Sequence, residues 1–191
     1  MLNHLAGISA AHTMRRRLGG TQGGTLPRDR RFVAVHRGGP LDVTRHRLLA
    51  NWAADCAGHA LPLFARTHPD DNRPRRAIEA ARAWSGGEIT VGEARVASVQ
   101  AHAAARDASD DVARAVARAA GHAVATAHMA DHSLGAAFYS VRAVKLASSS
   151  DDAENAGACE HEWQREHLPG AVRDLVVSAE EEGSVLGKWQ P

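Results

Sequence analysis

The chain has 191 residues, 44% of them hydrophobic and only 4% aromatic, which is enough for one substantial core. Lys and Arg number 23 against 22 Asp and Glu. That balance leaves no uniform field to draw a phosphate backbone or an anionic membrane, so neither nucleic acid nor membrane is an expected partner. Two cysteines far apart, Cys56 and Cys159, do not make a disulfide framework. No apolar run approaches the ~18 residues that span a bilayer, and the N-terminal basic cluster leads into Gly, Thr and Gln instead of a secretory apolar stretch. A cytoplasmic location is therefore the expectation.

Arginines bunch at Arg15, Arg16, Arg17, Arg28, Arg30 and Arg31 among Gly19, Gly20, Gly23 and Gly24, so residues 1–30 read as a flexible, solvated leader. Phe32-Val33-Ala34-Val35 is at most one short strand, stopped by Gly38-Gly39-Pro40. From Leu41 to about Ala65, Leu48, Leu49, Trp52, Ala53, Cys56, Ala60 and Leu63 recur at helical spacing, with Pro62 expected to kink or end the helix. Thr67 to Asn72 is a turn, and Pro74 begins a second helix that runs to Trp84 and closes at Gly86-Gly87. Thr90 and Glu93 have capping-box spacing and start a third helix to about Asp107.

Ser109 or Asp110 caps a fourth helix through Val112, Val116, Ala119, Ala120, Ala123 and Ala127, whose alanines imply closely packed backbones. Gly121 inside it is either a cost of about 1 kcal/mol against alanine or a close crossing point. Asp131 or Ser133 caps a fifth helix through Leu134, Phe138, Val141 and Leu146. Ser148 to Asp151 is a loop with a fresh cap, a sixth helix reaches about Glu166, and a last one covers Ala171 to Val177. The fold class is all-α: a compact single-domain bundle of six or seven helices over residues 31–179, plus the short N-terminal strand. Residues 180–191, acidic and then glycine-containing, are expected to form a tail whose Val185, Leu186 and Trp189 dock on the same chain, ahead of the alternative of docking on a partner.

Twelve histidines are the sharpest chemical clue. His128 and His132 are four apart, which on a continuous helix puts both on one face at the separation two metal ligands need. His122 lies about 120 degrees away at 100 degrees per residue and joins them only through a bend or another helix. Asp131, His102, Asp55 and His59 are open choices for a third ligand. HxxxH without the Glu of a zinc protease also fits partly buried, hydrogen-bonded imidazoles, or general acids and bases oriented by Asp131. His122, His128, Asp131 and His132 are thus the catalytic candidates, and His128 and His132 the metal candidates.

A second constellation is Asp70, Asp71, Arg73, Arg75, Arg76, Glu79 and Arg82, where Arg75–Glu79 and Arg76–Glu79 have ion-pair spacing. Its sharper reading is a charged surface that meets a ligand or partner. His102 and Arg106 share a helix face and, with Glu93, define a candidate interhelical cleft. Trp52, Trp84, Trp163 and Tyr139 are expected to fill core space, with Trp84 also a candidate for binding. No P-loop, GxGxxG, GxSxG or HExxH pattern appears.

Several stretches in order resemble the actinobacterial proteins labelled Imm-5-like predicted immunity proteins. They are Arg47-Leu48-Leu49-Ala50-Asn51-Trp52-Ala53-Ala54-Asp55-Cys56-Ala57, Leu61-Pro62-Leu63-Phe64 and Asp70 through Trp84. Gly92-Glu93-Ala94-Arg95, Ala101 through Arg106, Ala120-Gly121-His122-Ala123, Ala127 through His132 and Glu162-Trp163-Gln164 continue the series. The resemblance covers most of 40–178 and implies a compact helical protein that binds a cognate toxin and blocks it, with no cofactor.

Three readings follow. The first is an immunity-type binding protein acting on a cognate bacterial toxin or effector. The second is a small-molecule enzyme of a specialised-metabolite pathway, using His, Asp and Glu for acid–base chemistry or holding a divalent metal in an interhelical pocket. The third is a homodimer packed through its alanine-rich helices. The resemblance places the first ahead.

Overall fold

The structure, a computed structural model, describes residues 29–182. The leader and its arginines up to Arg28, and the terminal Val185, Leu186 and Trp189, lie outside the described residues. Two 3-10 turns, Arg30–Phe32 and Val35–Arg37, precede α1 (Val43–Thr67), α2 (Arg73–Gly86), α3 (Val91–Asp107), α4 (Asp111–Ala125), α5 (His132–Ala147), α6 (Ala153–Glu166) and α7 (Gly170–Glu181). The all-α expectation holds.

The expected strand does not form. Ala34 makes a single bridge to Leu41, supported by Val35 N donating to Leu41 O (2.9 Å) and Leu41 N to Val33 O (3.1 Å). With no sheet to join, an extended run would leave its remaining backbone groups unpaired. The chain instead curls through 3-10 turns, and Gly38, at φ 79°, reverses it. Phe32 and Leu41 both enter the core beside Trp52.

Pro62 neither ends nor interrupts the assigned span of α1, which Asp42 caps by accepting from Arg45 N (2.9 Å). Pro62 is on the exposed side, where water can serve the carbonyl its ring leaves unbonded. Phe64 beyond it is buried against Val116 and holds the last turn in place. The helix ends at His68 instead.

The centre of the bundle is α4. Ala113, Ala115, Val116, Ala117 and every residue from Ala119 to Ala125 are buried, so this helix has almost no solvent face. A helix enclosed on nearly all sides is a core element, and alanine lets its neighbours approach closely. α1, α2, α3 and α5 all pack on it. α6 packs on α5, while Val172, Val176 and Ala179 of α7 join Leu49, Trp52 and Leu134 in a second apolar cluster. Trp52 Nε1 donates to Gln164 O (2.9 Å), and Ser140 Oγ to Cys56 O (3.0 Å), tying α1 to α6 and α5.

Side-chain caps start α1, α3 and α4, whereas α2, α5, α6 and α7 begin without a side-chain cap bond. Thr90 and Glu93 form the capping box, with Thr90 N donating to Glu93 Oε2 (2.7 Å) and Glu93 N to Thr90 Oγ1 (3.2 Å). Asp110, not Ser109, caps α4 through Ala113 N (2.7 Å). The cap expected for α6 from Ser148 to Asp151 does not act, since its N-cap position is Asp152 with no side-chain bond, and α5 departs from expectation as well. Neither expected cap acts there, because Asp131 is already in the helical region of backbone space and Ser133 Oγ donates back to Ala130 O (2.7 Å).

Two substitutions test this account by urea unfolding. Ala120→Leu, at a fully buried position of the central helix, should destabilise the chain by about 1–3 kcal/mol through overpacking. Thr90→Ala should cost about 1 kcal/mol by removing the cap.

Candidate functional site

The expected histidine pair does not sit on one helix. α4 stops at Ala125, residues 126–131 form a turn, and His132 opens α5, so His128 lies in the turn. Bonds such as Thr126 N to His122 O (3.1 Å) and His132 N to Met129 O (3.0 Å) carry the chain round. The two rings still approach, with centroids 5.2 Å apart. The bend also brings in His122, whose Nδ1 is 3.0 Å from His132 Nδ1. That contact needs one protonated and one unprotonated Nδ1.

Around His122, Tyr139 stacks at 5.3 Å from α5, and His102 meets it edge-on at 5.2 Å from α3. Gly121 makes the last contact possible. A Cβ there would fall 2.7 Å from His102 Cε1, so the ring lies directly on the α4 backbone. Arg118 Nη1 donates to His102 Nδ1 (3.2 Å), and burial, with the charges of Arg118 and Arg106, pushes His102 down to about 4. His102 is therefore a neutral imidazole near pH 7. His122 and Asp131 are buried, and His128 and His132 are half-buried. Among the described residues, no group of three or more His, Cys, Asp or Glu has the arrangement to hold a metal.

The other expected binding residues divide. Trp84 is in the core, edge-on to buried His46 (4.8 Å), whose Nε2 contacts Thr126 O at 2.6 Å. Arg73 pairs with Asp71 (2.7 Å) and Asp107 (2.8 Å), fastening the α1–α2 turn to the end of α3, and it holds the Asp71 carboxyl below its ordinary range. Asp70, Arg76 and Glu79 are exposed. The expected Arg75–Glu79 and Arg76–Glu79 pairs are absent among the described residues, because solvated side chains gain little from closing such pairs. Glu93 is spent on its cap and lies nine positions before His102, about 13 Å along the helix, so the two do not share a cleft.

A second site was largely hidden from the sequence. A cleft of about 570 Å³ opens between α1, α2 and α6, lined by Asp55, His59, Arg75, Glu79, Arg82, Trp163 and His167 among others. Trp163, expected in the core, stands half-buried at its edge between two imidazoles: His59 stacks on it at 3.8 Å and His167 at 4.0 Å. His59 Nδ1 is 2.7 Å from Oε2 of Glu160, a carboxylate only 2% exposed. Glu160 Oε1 accepts from Gln164 Nε2 (2.8 Å), and Gln164 is itself held to Ala137 O (3.2 Å). Asp55 accepts from Asn51 (3.2 Å) and Arg82 (3.0 Å). The available signal was helical: Glu160 and Gln164, like Trp163 and His167, are four apart. Nothing in spacing could join Glu160 to His59, 101 residues away.

The low position of His102 gives a signed pH dependence. Its folded value lies below the unfolded value of about 6.5, so the unfolded chain binds the extra proton first. The stability from neutral His102 is complete above about pH 6.5 and is lost as pH falls toward 4. Urea unfolding at stepped pH should show this acid slope, and His102→Gln should flatten it.

No curated protein and no solved structure matches the chain. The family model described as Imm-5 like putative immunity protein matches residues 39–171, a span that takes in the histidine cluster, the α1–α2–α6 cleft and the start of α7. The chain belongs to the Imm-5 like immunity protein family.

Proposed function

We propose that this chain acts as an immunity protein by binding a cognate bacterial toxin or effector and covering it, without turnover. Family membership supports an immunity role. The observation that carries the binding reading is the exposed face of α2, where Arg75, Arg76 and Glu79 carry charge with no ion pair among the described residues. The half-buried Trp163 stands across the adjoining cleft. Arg and Trp near a cleft are the residue types that dominate binding energy, and uncommitted charges steer a complementary surface into place. The rigid bundle presents this face with little ordering cost.

The histidine cluster favours a second reading as an acid–base centre, through the His122–His132 contact that can hand a proton between rings. Protection without a complex would distinguish it. Cells producing the cognate toxin should grow when the chain is co-expressed, and the purified pair should form a stable complex. Arg75→Glu/Arg76→Glu should weaken that complex by about tenfold to a hundredfold, or roughly 1.4–2.8 kcal/mol, and lower protection in step. Protection that persists with no measurable complex would contradict the binding reading.

A further inference from the structure

The α1–α2–α6 cleft contains more order than a docking surface requires. Burying a carboxylate costs several kcal/mol unless its lone pairs are met, and Glu160 is buried with its two oxygens turned to His59 and Gln164. The effect is to fix one surface imidazole. His59 Nδ1 carries the proton that Glu160 accepts, the ring face is clamped on Trp163, and the side chain remains 45% exposed in the cleft. In the neutral ring this tautomer leaves Nε2 as the acceptor. On the far face of the indole, His167 Nδ1 donates to Trp163 O (2.8 Å), which fixes the same tautomer. With the indole between them, the two imidazoles do not converge on one metal ion.

The uncommitted groups around His59 define a ligand. Asp55 is occupied by Asn51 and Arg82, and Glu160 by His59 and Gln164, leaving Glu79 as the uncommitted acid of the cleft. Donors are in surplus. The Arg75 guanidinium has no hydrogen bond or ion pair among the described residues, and Arg82 is bonded only through Nη2. Guanidinium donors beside an unprotonated Nε2 match a group that is anionic and also carries a proton. A phosphoryl group with one P–OH has that pattern, as hydrogen phosphate does near pH 7 and a phosphomonoester does toward its second pKa of about 6, whereas a carboxylate or sulfate near pH 7 lacks the proton. Both indole faces are covered, so the ligand is not held by stacking.

We propose that this cleft is a binding site for a small phosphorylated molecule, with Arg75 and Arg82 on the charged oxygens and His59 Nε2 accepting the P–OH hydrogen bond. A cleft of about 570 Å³ suits a metabolite-sized ligand. The proposal goes beyond toxin binding and stands or falls on the isolated chain.

The test is titration of the full chain with inorganic phosphate and, separately, with sulfate, followed by the histidine ring signals in NMR. Exposed His36, outside the cleft, is the internal control. Phosphate should shift His59 saturably and bind about tenfold more tightly than sulfate, a difference of roughly 1.4 kcal/mol. Arg75→Ala should weaken both ions, while His59→Gln should abolish the preference for phosphate. Both side chains are at least partly exposed, so neither change threatens the core. Equal affinity for the two ions would overturn the role of His59. A phosphate shift at His59 no larger than at His36 would mark an adventitious ion only and overturn the site.

Discussion

Close packing on α4 is the constraint from which the rest of the structure follows. Its alanines and Gly121 let α1, α2, α3 and α5 press on a single helix, so one element organises the bundle centre. A larger side chain at Ala119, Ala120 or Ala123, each fully buried, would have to displace closely packed neighbours. The same economy of volume places the histidines. His102 reaches His122 only because Gly121 has no side chain, and the six-residue turn after Ala125 returns His132 to His122.

A second chain of contacts runs from the core to the surface. Trp52 bonds the Gln164 backbone, the Gln164 side chain holds Glu160, and Glu160 orients His59 in the cleft. The tautomer of an exposed imidazole is thus set by residues buried beneath it. Positioning of this kind uses rigid helices, not loops, and is how binding geometry is held without a ligand present. The face proposed for a protein partner and the pocket proposed for a phosphorylated molecule share Arg75, so occupancy of one bears on the other.

Much of the bundle was legible because its signals are local. The Thr90–Glu93 box, the Asp110 cap, Pro74 in the first turn of α2 and the apolar spacing of α1 each act within one or two turns. Pro62 did not end α1, one of the two effects expected of it, because a proline's effect depends on whether its turn faces water, which spacing alone does not state. The HxxxH pair misled for the opposite reason: it assumed a continuous helix where the chain turns. Trp163 was assigned to core by residue type, yet its ring is flanked by His59 and His167 at a cleft edge. The His59–Glu160 pair had no local signal at all, since helices distant in sequence bring it together.

The central claim is that an immunity function is exercised through the α2 face and its adjoining cleft. Hydrogen–deuterium exchange of the chain, alone and with its toxin bound, addresses it most directly. The account predicts added protection in the peptides of α2 and of α6 around Trp163, with α3 and the end of α5 unchanged. Protection confined to α3 and α5, with α2 and α6 exchanging as in the free chain, would contradict it.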